Sequence, residues 1–162
     1  MSSAAHLDLP LVIEEMSQAD ALEIVGWRYP GEYSFYDRDA DQRDAGELLD
    51  ADLRKEMYFS VHGRRGALVG FLQLKKAGAE TVDIGLGLRP ELTGLGLGER
   101  FVGEALAFAR TRFGARRFTL AVASFNERAL RVYERCGFVE VARSIRTTAG
   151  AEWEFVEMER PA

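Results

Sequence analysis

Three glycines alternate at Gly94, Gly96 and Gly98, between a stretch that reads as a strand and one that reads as a helix. A helix N-terminus presents unpaired N–H groups and partial positive charge. Glycines ahead of it let an anion approach the backbone closely, so one reading is a phosphate or pyrophosphate cradle. The other is a turn whose φ angles require glycine. Three glycines at alternate positions, entering an amphipathic helix, favour the cradle. Both common nucleotide motifs fail on spacing. The dinucleotide fingerprint is Gly-x-Gly-x-x-Gly directly after a strand, whereas here Pro90–Thr93 intervenes and the spacing is Gly-x-Gly-x-Gly. A P-loop needs Gly-Lys-Ser/Thr, which is absent.

Other residue types suggest acid–base chemistry and amine recognition. Asp83 is a carboxylate inside an otherwise apolar strand, and burial there would raise its pKa toward the range useful to a base. A hydrogen-bonded structural aspartate is the alternative. Tyr29, Tyr33, Phe35 and Tyr36 crowd a loop, Arg28–Asp41, that also carries Glu32 and Asp37. Rings with acidic neighbours suit a cationic amine; rings packed onto a sheet edge are the alternative. His6 and His62 are isolated in sequence, so no metal site is expected. Ser124 lacks a Gly-x-Ser-x-Gly context, and Cys136 reads as a small buried filler. Arg128, Arg131 and Arg135 form a basic stripe, and Arg110, Arg112, Arg116 and Arg117 a basic cluster. Either suits a phosphate or a solvated face.

The elements that must position these residues are legible as a pattern. Leu11–Met16 reads as a strand, and Ser17 with Asp20 as the capping pair of a first helix. Pro30 and Gly31 end helical structure, and Gly46–Met57 predicts a short second helix. Two strands joined at Gly63–Gly66 follow. Thr81–Arg89 alternates, with Val82, Ile84, Leu86 and Leu88 on one face and Thr81, Asp83, Gly85 and Gly87 on the other. After the glycines, Leu97, Phe101, Ala105 and Ala109 mark the apolar face of a helix reaching Phe113. Arg116–Ala123 predicts a buried strand, and Asn126–Cys136 a helix capped by Asn126 and ended by Gly137. Two strands close the chain. The order is β-α-α-β-β-β-α-β-α-β-β, a mixed α/β domain over residues 1–162 and not a doubly wound nucleotide fold.

Composition limits the classes. At 162 residues the chain suits one domain. A net charge of −5 argues against a general nucleic-acid binder. A single cysteine excludes an intrachain disulfide and fits a reducing cytoplasm. The first ten residues carry no basic start followed by a long apolar run, so no signal peptide is expected, nor is a membrane span.

Two motifs then combine. Pro90–Gly98, "PELTGLGLG", resembles the acetyl-CoA signature of the GNAT acyltransferases, Gln/Arg-x-x-Gly-x-Gly/Ala. Asn126, Ala129, Tyr133, Gly137 and Phe138 resemble the same family's Asn-x-x-Ala-x-x-x-Tyr-x-x-x-Gly-Phe. Thr93 stands where the family usually has Gln or Arg. The resemblance implies the GNAT fold, a central, mostly antiparallel sheet flanked by helices, and acetyl transfer from acetyl-CoA (CoA) to an amine on a small molecule or peptide. It implies a cofactor site formed by Leu86, Gly87, Leu88, Thr93, Gly94, Leu95, Gly96, Leu97, Gly98, Glu99 and Asn126. The pantetheine arm would lie along Asp83–Arg89, with Gly85 and Gly87 allowing close approach and an N–H near Leu88 as oxyanion donor. Tyr133 would be the general acid and Asp83 the base, alone or through a water. The aromatic loop would receive the acceptor. A non-catalytic acyl-CoA sensor with the same fold is the alternative. Dimerisation is common in the family, and nothing in the sequence locates an interface.

Overall fold

The computed structural model describes residues 7–162; His6 lies outside them. Strands β1 (Val12–Glu15), β2 (Tyr58–His62), β3 (Leu68–Lys76), β4 (Thr81–Leu88), β5 (Arg117–Ala123), β6 (Val139–Thr148) and β7 (Ala151–Pro161) form one sheet in the order β1-β2-β3-β4-β5-β7-β6. Every neighbouring pair is antiparallel except β4 and β5. Helices α1 (Gln18–Val25), α2 (Gln42–Leu49) and α3 (Ala51–Arg54) precede β2, while α4 (Gly98–Phe113) and α5 (Glu127–Arg135) flank β5 in sequence. No helix among the described residues is long and apolar enough to cross a membrane.

The period-two pattern of the strands divides the core into two layers. On one face, Leu72, Leu74, Val82, Ile84, Phe118, Leu120 and Val122 pack against Phe101, Val102, Ala105, Leu106 and Ala109 of α4. On the other, Tyr58 and Phe71 pack against Ala21 and Ile24 of α1, Trp27, and Leu48 of α2. Strand β5 buries one face rather than both, because Phe118, Leu120 and Val122 are buried and Thr119 and Ala121 are half-buried.

The second helix departs from expectation. It starts at Gln42, ends at Leu49, and is followed by the separate four-residue turn α3. Asp50 is the cause: its extended backbone (φ −87°, ψ 114°) breaks the helix and its carboxylate accepts from the N–H groups of Asp52 and Leu53. Arg54 is buried and donates to the carbonyls of Met16 and Leu48, tying this turn to the start of α1. The Arg28–Asp41 segment is not open loop but two short 3-10 turns, Gly31–Tyr36 and Arg38–Ala40.

The site depends on where β4 and β5 part. Their parallel ladder covers only Thr81–Asp83 against Arg117–Thr119. Beyond it the strands diverge, and a slot opens between the end of β4 and the end of β5. Parity decides which backbone groups face it. Arg89 N–H donates to Val69 in β3, and Gly87 pairs with Phe71. Along an antiparallel pair alternate residues turn their N–H and C=O toward the partner, so those of Leu86 and Leu88 turn away from β3, into the slot.

Candidate functional site

One end of the slot leads into the glycine run. A 3-10 turn, Pro90–Leu92, is followed by Gly94 at φ +71° and Gly96 at φ +79°, so both positions need glycine for backbone reasons. Gly98 is glycine for another reason: a Cβ there would stand 3.1 Å from a Val132 methyl, and its absence lets α4 approach α5. Among the described residues, no protein group accepts from the backbone N–H groups of Gly94 through Arg100; the first bond of α4 is Phe101 N–H to Leu97 C=O. The helix has no side-chain cap. Left-handed glycines alternating with other residues at an uncapped helix start form a nest of N–H groups that holds an anion. The turn reading of Gly94 and Gly96 holds, and the turn leaves a run of N–H groups that no described protein group accepts from.

Two residues expected at the cofactor are engaged elsewhere. The Thr93 hydroxyl donates to Pro90 C=O at 2.7 Å, and Thr93 N–H bonds the same carbonyl. Thr93 closes the turn and has no donor left for a phosphate. Asn126 caps α5, its Oδ1 accepting from Ala129 N–H at 3.1 Å while its Nδ2 donates to the Tyr36 hydroxyl at 3.2 Å. Gly85 and Gly87 also serve differently. A Cβ on Gly87 would stand 2.2 Å from the Phe71 ring, and one on Gly85 would stand 3.4 Å from the Gln73 side chain. The room they leave is filled by β3 side chains, not by the slot.

Tyr133 projects from α5 onto the α4–α5 face of the sheet, its ring 5.9 Å from that of Phe138. Burial raises its hydroxyl above the ordinary tyrosine range, the nearby Tyr36 and Cys136 adding to the effect, and no described residue hydrogen-bonds it. It is a protonated phenol with a proton to give. Asp83 lies at the last paired position of β4, on the opposite face, among Gln73, Lys75 and Thr119. One of its carboxylate oxygens accepts from the Thr119 hydroxyl at 2.8 Å. Leu86 stands three residues further on, roughly 10 Å along the strand.

The structure divides the aromatic segment between the two lips of the slot. Tyr29 donates its hydroxyl to Leu88 C=O at 2.6 Å, on the β4 lip, and burial raises its pKa. Tyr36 meets Asn126 and the end of β5 at Ala123, on the other lip. Phe35 is structural, packed on Tyr36, Phe125, Trp153 and Phe155 with ring centroids 4.7 to 5.9 Å away. Tyr33 lies beneath the Arg128 guanidinium, 4.4 Å from its ring centre, and an Nη of the same arginine reaches Gly94. Arg89 steadies the tip of β4 by stacking on Trp27 at 5.2 Å and pairing with Glu23.

Sequence reasoning missed a polar network beside Gly85 and Gly87. Glu47 of α2 accepts from the Tyr58 hydroxyl at 2.8 Å and from Gln73 Nε2 at 2.9 Å. Arg38 donates to the same tyrosine hydroxyl at 2.9 Å. Burial pushes the Asp44 carboxyl up, against the opposing pull of Arg38. The one available signal was a cluster of charges at a segment expected to be loop. His62, read as isolated, is bracketed by Asp20 at 3.1 Å and Glu14 at 3.9 Å.

Residues 19–138 match the acetyltransferase (GNAT) family. No curated protein matches the chain by sequence. Among solved structures, the fold is similar to spermidine N-acetyltransferase from Vibrio cholerae in complex with CoA and spermine, with TM-score 0.73 and 19% identity over 93% of this chain and 95% of that one. A chimera of the Vibrio cholerae enzyme with hSSAT gives TM-score 0.75 and 21% identity over 92% and 93%. The dodecameric form of the Vibrio cholerae enzyme gives 0.69 and 21% over 93% of each chain.

Proposed function

The chain belongs to the GNAT acetyltransferase family, and from that premise we propose that it transfers the acetyl group of acetyl-CoA to a primary amine of a small molecule, by direct attack in a ternary complex. One observation carries the reading: the sheet opens after Asp83 and Thr119, and the free lip of β4 leads straight to the N–H nest of Gly94–Arg100. A pyrophosphate suits the nest, with Leu95 and Leu97 framing it and the backbone of Gly98 and Glu99 closing it. A pantetheine arm suits the slot, where it would continue the sheet along Leu86, Gly87 and Leu88. Bound there, acetyl-CoA supplies the activated thioester.

Each protein group then has a task. The Leu86 and Leu88 N–H groups lie in the slot and can polarise the thioester carbonyl. Attack requires a neutral amine; Asp83, through water, takes the proton, and its second carboxylate oxygen is free to do so. The new C–N bond forms, the C–S bond breaks, and the thiolate takes the Tyr133 proton. Acid and base stand on opposite faces of the slot, which suits cofactor and acceptor arriving from different sides. Tyr29 and Tyr36 border the acceptor's entrance.

Thiol release from acetyl-CoA, followed across a panel of primary amines, tests the reading directly. Amine-dependent release is expected. Stabilisation by CoA without release for any amine would favour the acyl-CoA sensor instead.

A further inference from the structure

We propose that the acceptor is an amine that also carries a carboxylate, of the amino-acid type, and that Arg38 binds that carboxylate. This rests on the acetyltransferase reading above and specifies its substrate class.

Arg38 follows the Gly31–Tyr36 turn, and its guanidinium lies 5.4 Å from the centre of the Phe71 ring and 5.9 Å from that of Tyr58. The Phe71 ring covers Gly87, so Arg38 overlies the open part of β4 on the face opposite Tyr133. Tyr29, whose hydroxyl sits on Leu88 C=O, is close enough to feel its charge. The guanidinium is therefore beside the segment where the acetyl group would be transferred.

Its hydrogen bonding is incomplete. Arginine has five N–H donors. One goes to the Tyr58 hydroxyl; Nε is enclosed with no acceptor, and among the described residues no carboxylate lies within 4.0 Å of the guanidinium. Many other arginines of this chain do have such partners, including Arg28, Arg89, Arg117 and Arg143. Of the two carboxylates in the network, Asp44 feels the charge of Arg38 without pairing with it, and Glu47 is held by Tyr58, Gln73 and Lys75. An enclosed Nε–H without an acceptor is destabilising by itself, and the planar fork of arginine matches a carboxylate in two-point contact. A polycationic acceptor brings no carboxylate to that fork. A zwitterionic one would place its carboxylate on Arg38 and its ammonium toward the slot and Asp83, where it loses its proton.

Thiol-release kinetics with matched pairs test this: lysine against cadaverine, arginine against agmatine, phenylalanine against phenethylamine, with spermidine alongside. The carboxylate-bearing member of at least one pair should lead by tenfold or more in kcat/KM, chiefly through KM. Arg38→Gln should shrink that ratio at least tenfold, and Arg38→Lys should restore part of it. CoA-induced stabilisation of each variant reports an intact fold. Decarboxylated amines or spermidine turned over equally well or better would overturn the carboxylate assignment and leave acetyl transfer standing. Turnover of none of these amines would overturn both.

Discussion

Around the glycine nest, the groups without a protein partner are backbone N–H groups, and the one side chain that reaches Gly94 is that of Arg128. Across the slot, the polar contacts come from side chains: Tyr29 on Leu88, Arg38 on Tyr58, Gln73 on Glu47, Thr119 on Asp83. The first half is one contiguous run, Leu86 to Arg100. The second is assembled from the Arg28–Asp41 segment, α2 and four strands. A phosphate chain is the same in every acyl-CoA and can be held by an invariant material. Side chains, by contrast, can be shaped to one acceptor. The contrast separates a half built from backbone from a half built from side chains, and it can be broken experimentally.

The largest effect is expected on the backbone half. Gly96→Glu forces a side chain onto φ +79° and sets a carboxylate in the nest. Saturating CoA, at a hundredfold excess over Kd, should stabilise the parent by about 2.7 kcal/mol and this variant not at all. An undiminished thermal shift would show that the nest is not where the phosphates bind. Tyr133→Phe comes next. Losing a general acid costs on the order of a hundredfold in turnover, with CoA affinity nearly unchanged. Because burial raises the Tyr133 pKa, the parent phenol stays protonated up to the ordinary tyrosine value of about 10 and beyond. Its loss of a proton should therefore not depress the rate in mildly alkaline buffer. Equal rates for parent and variant would remove Tyr133 from proton transfer.

Asp83→Asn should slow turnover by at most about a hundredfold, the lower end of the range for general acid–base catalysis. Thr119→Val, which removes only the hydroxyl that donates to Asp83, should slow it less. A variant that loses melting temperature but no activity would make Asp83 a fastener between β4 and β5. The smallest effect belongs to Asn126→Ala, which loses a helix cap and should cost about 1 kcal/mol of stability while CoA affinity stays within about twofold. A tenfold loss of CoA affinity would return Asn126 to the cofactor side of the comparison.

The same contrast explains what could be read from the sequence. The turn at the glycines was legible because alternating glycines before an amphipathic helix carry their meaning locally. Tyr133 was singled out through its spacing from Asn126 and Gly137, and the element order emerged from hydrophobic period together with caps and Gly/Pro breakers. The side-chain half was not legible, because its pairs are remote: Arg38 and Tyr58 are 20 residues apart, Tyr29 and Leu88 59, and Tyr36 and Asn126 90. Thr93 and Asn126 fit the cofactor list by position, yet each found a local carbonyl or N–H first. Gly87 was read toward the cofactor, whereas its vacancy belongs to Phe71, a residue whose ring direction no one-dimensional pattern reveals. The helix expected over Gly46–Met57 failed at Asp50, where an aspartate outcompetes helix continuation by capping the turn that follows.

The short ladder between β4 and β5 leaves this sheet with an edge in its interior rather than at its rim. Most sheets hide such edges or blunt them, because exposed strand groups recruit whatever extended chain comes near. Here the opening is bordered by helices and tyrosines, so what it recruits must be as narrow as one extended strand. The amide protons of Leu86 and Leu88 belong to a central strand yet should exchange with solvent like those of an outer one, and slow once an eighth strand-like ligand is in place. A ligand held there would be, in that sense, the last step of building the sheet.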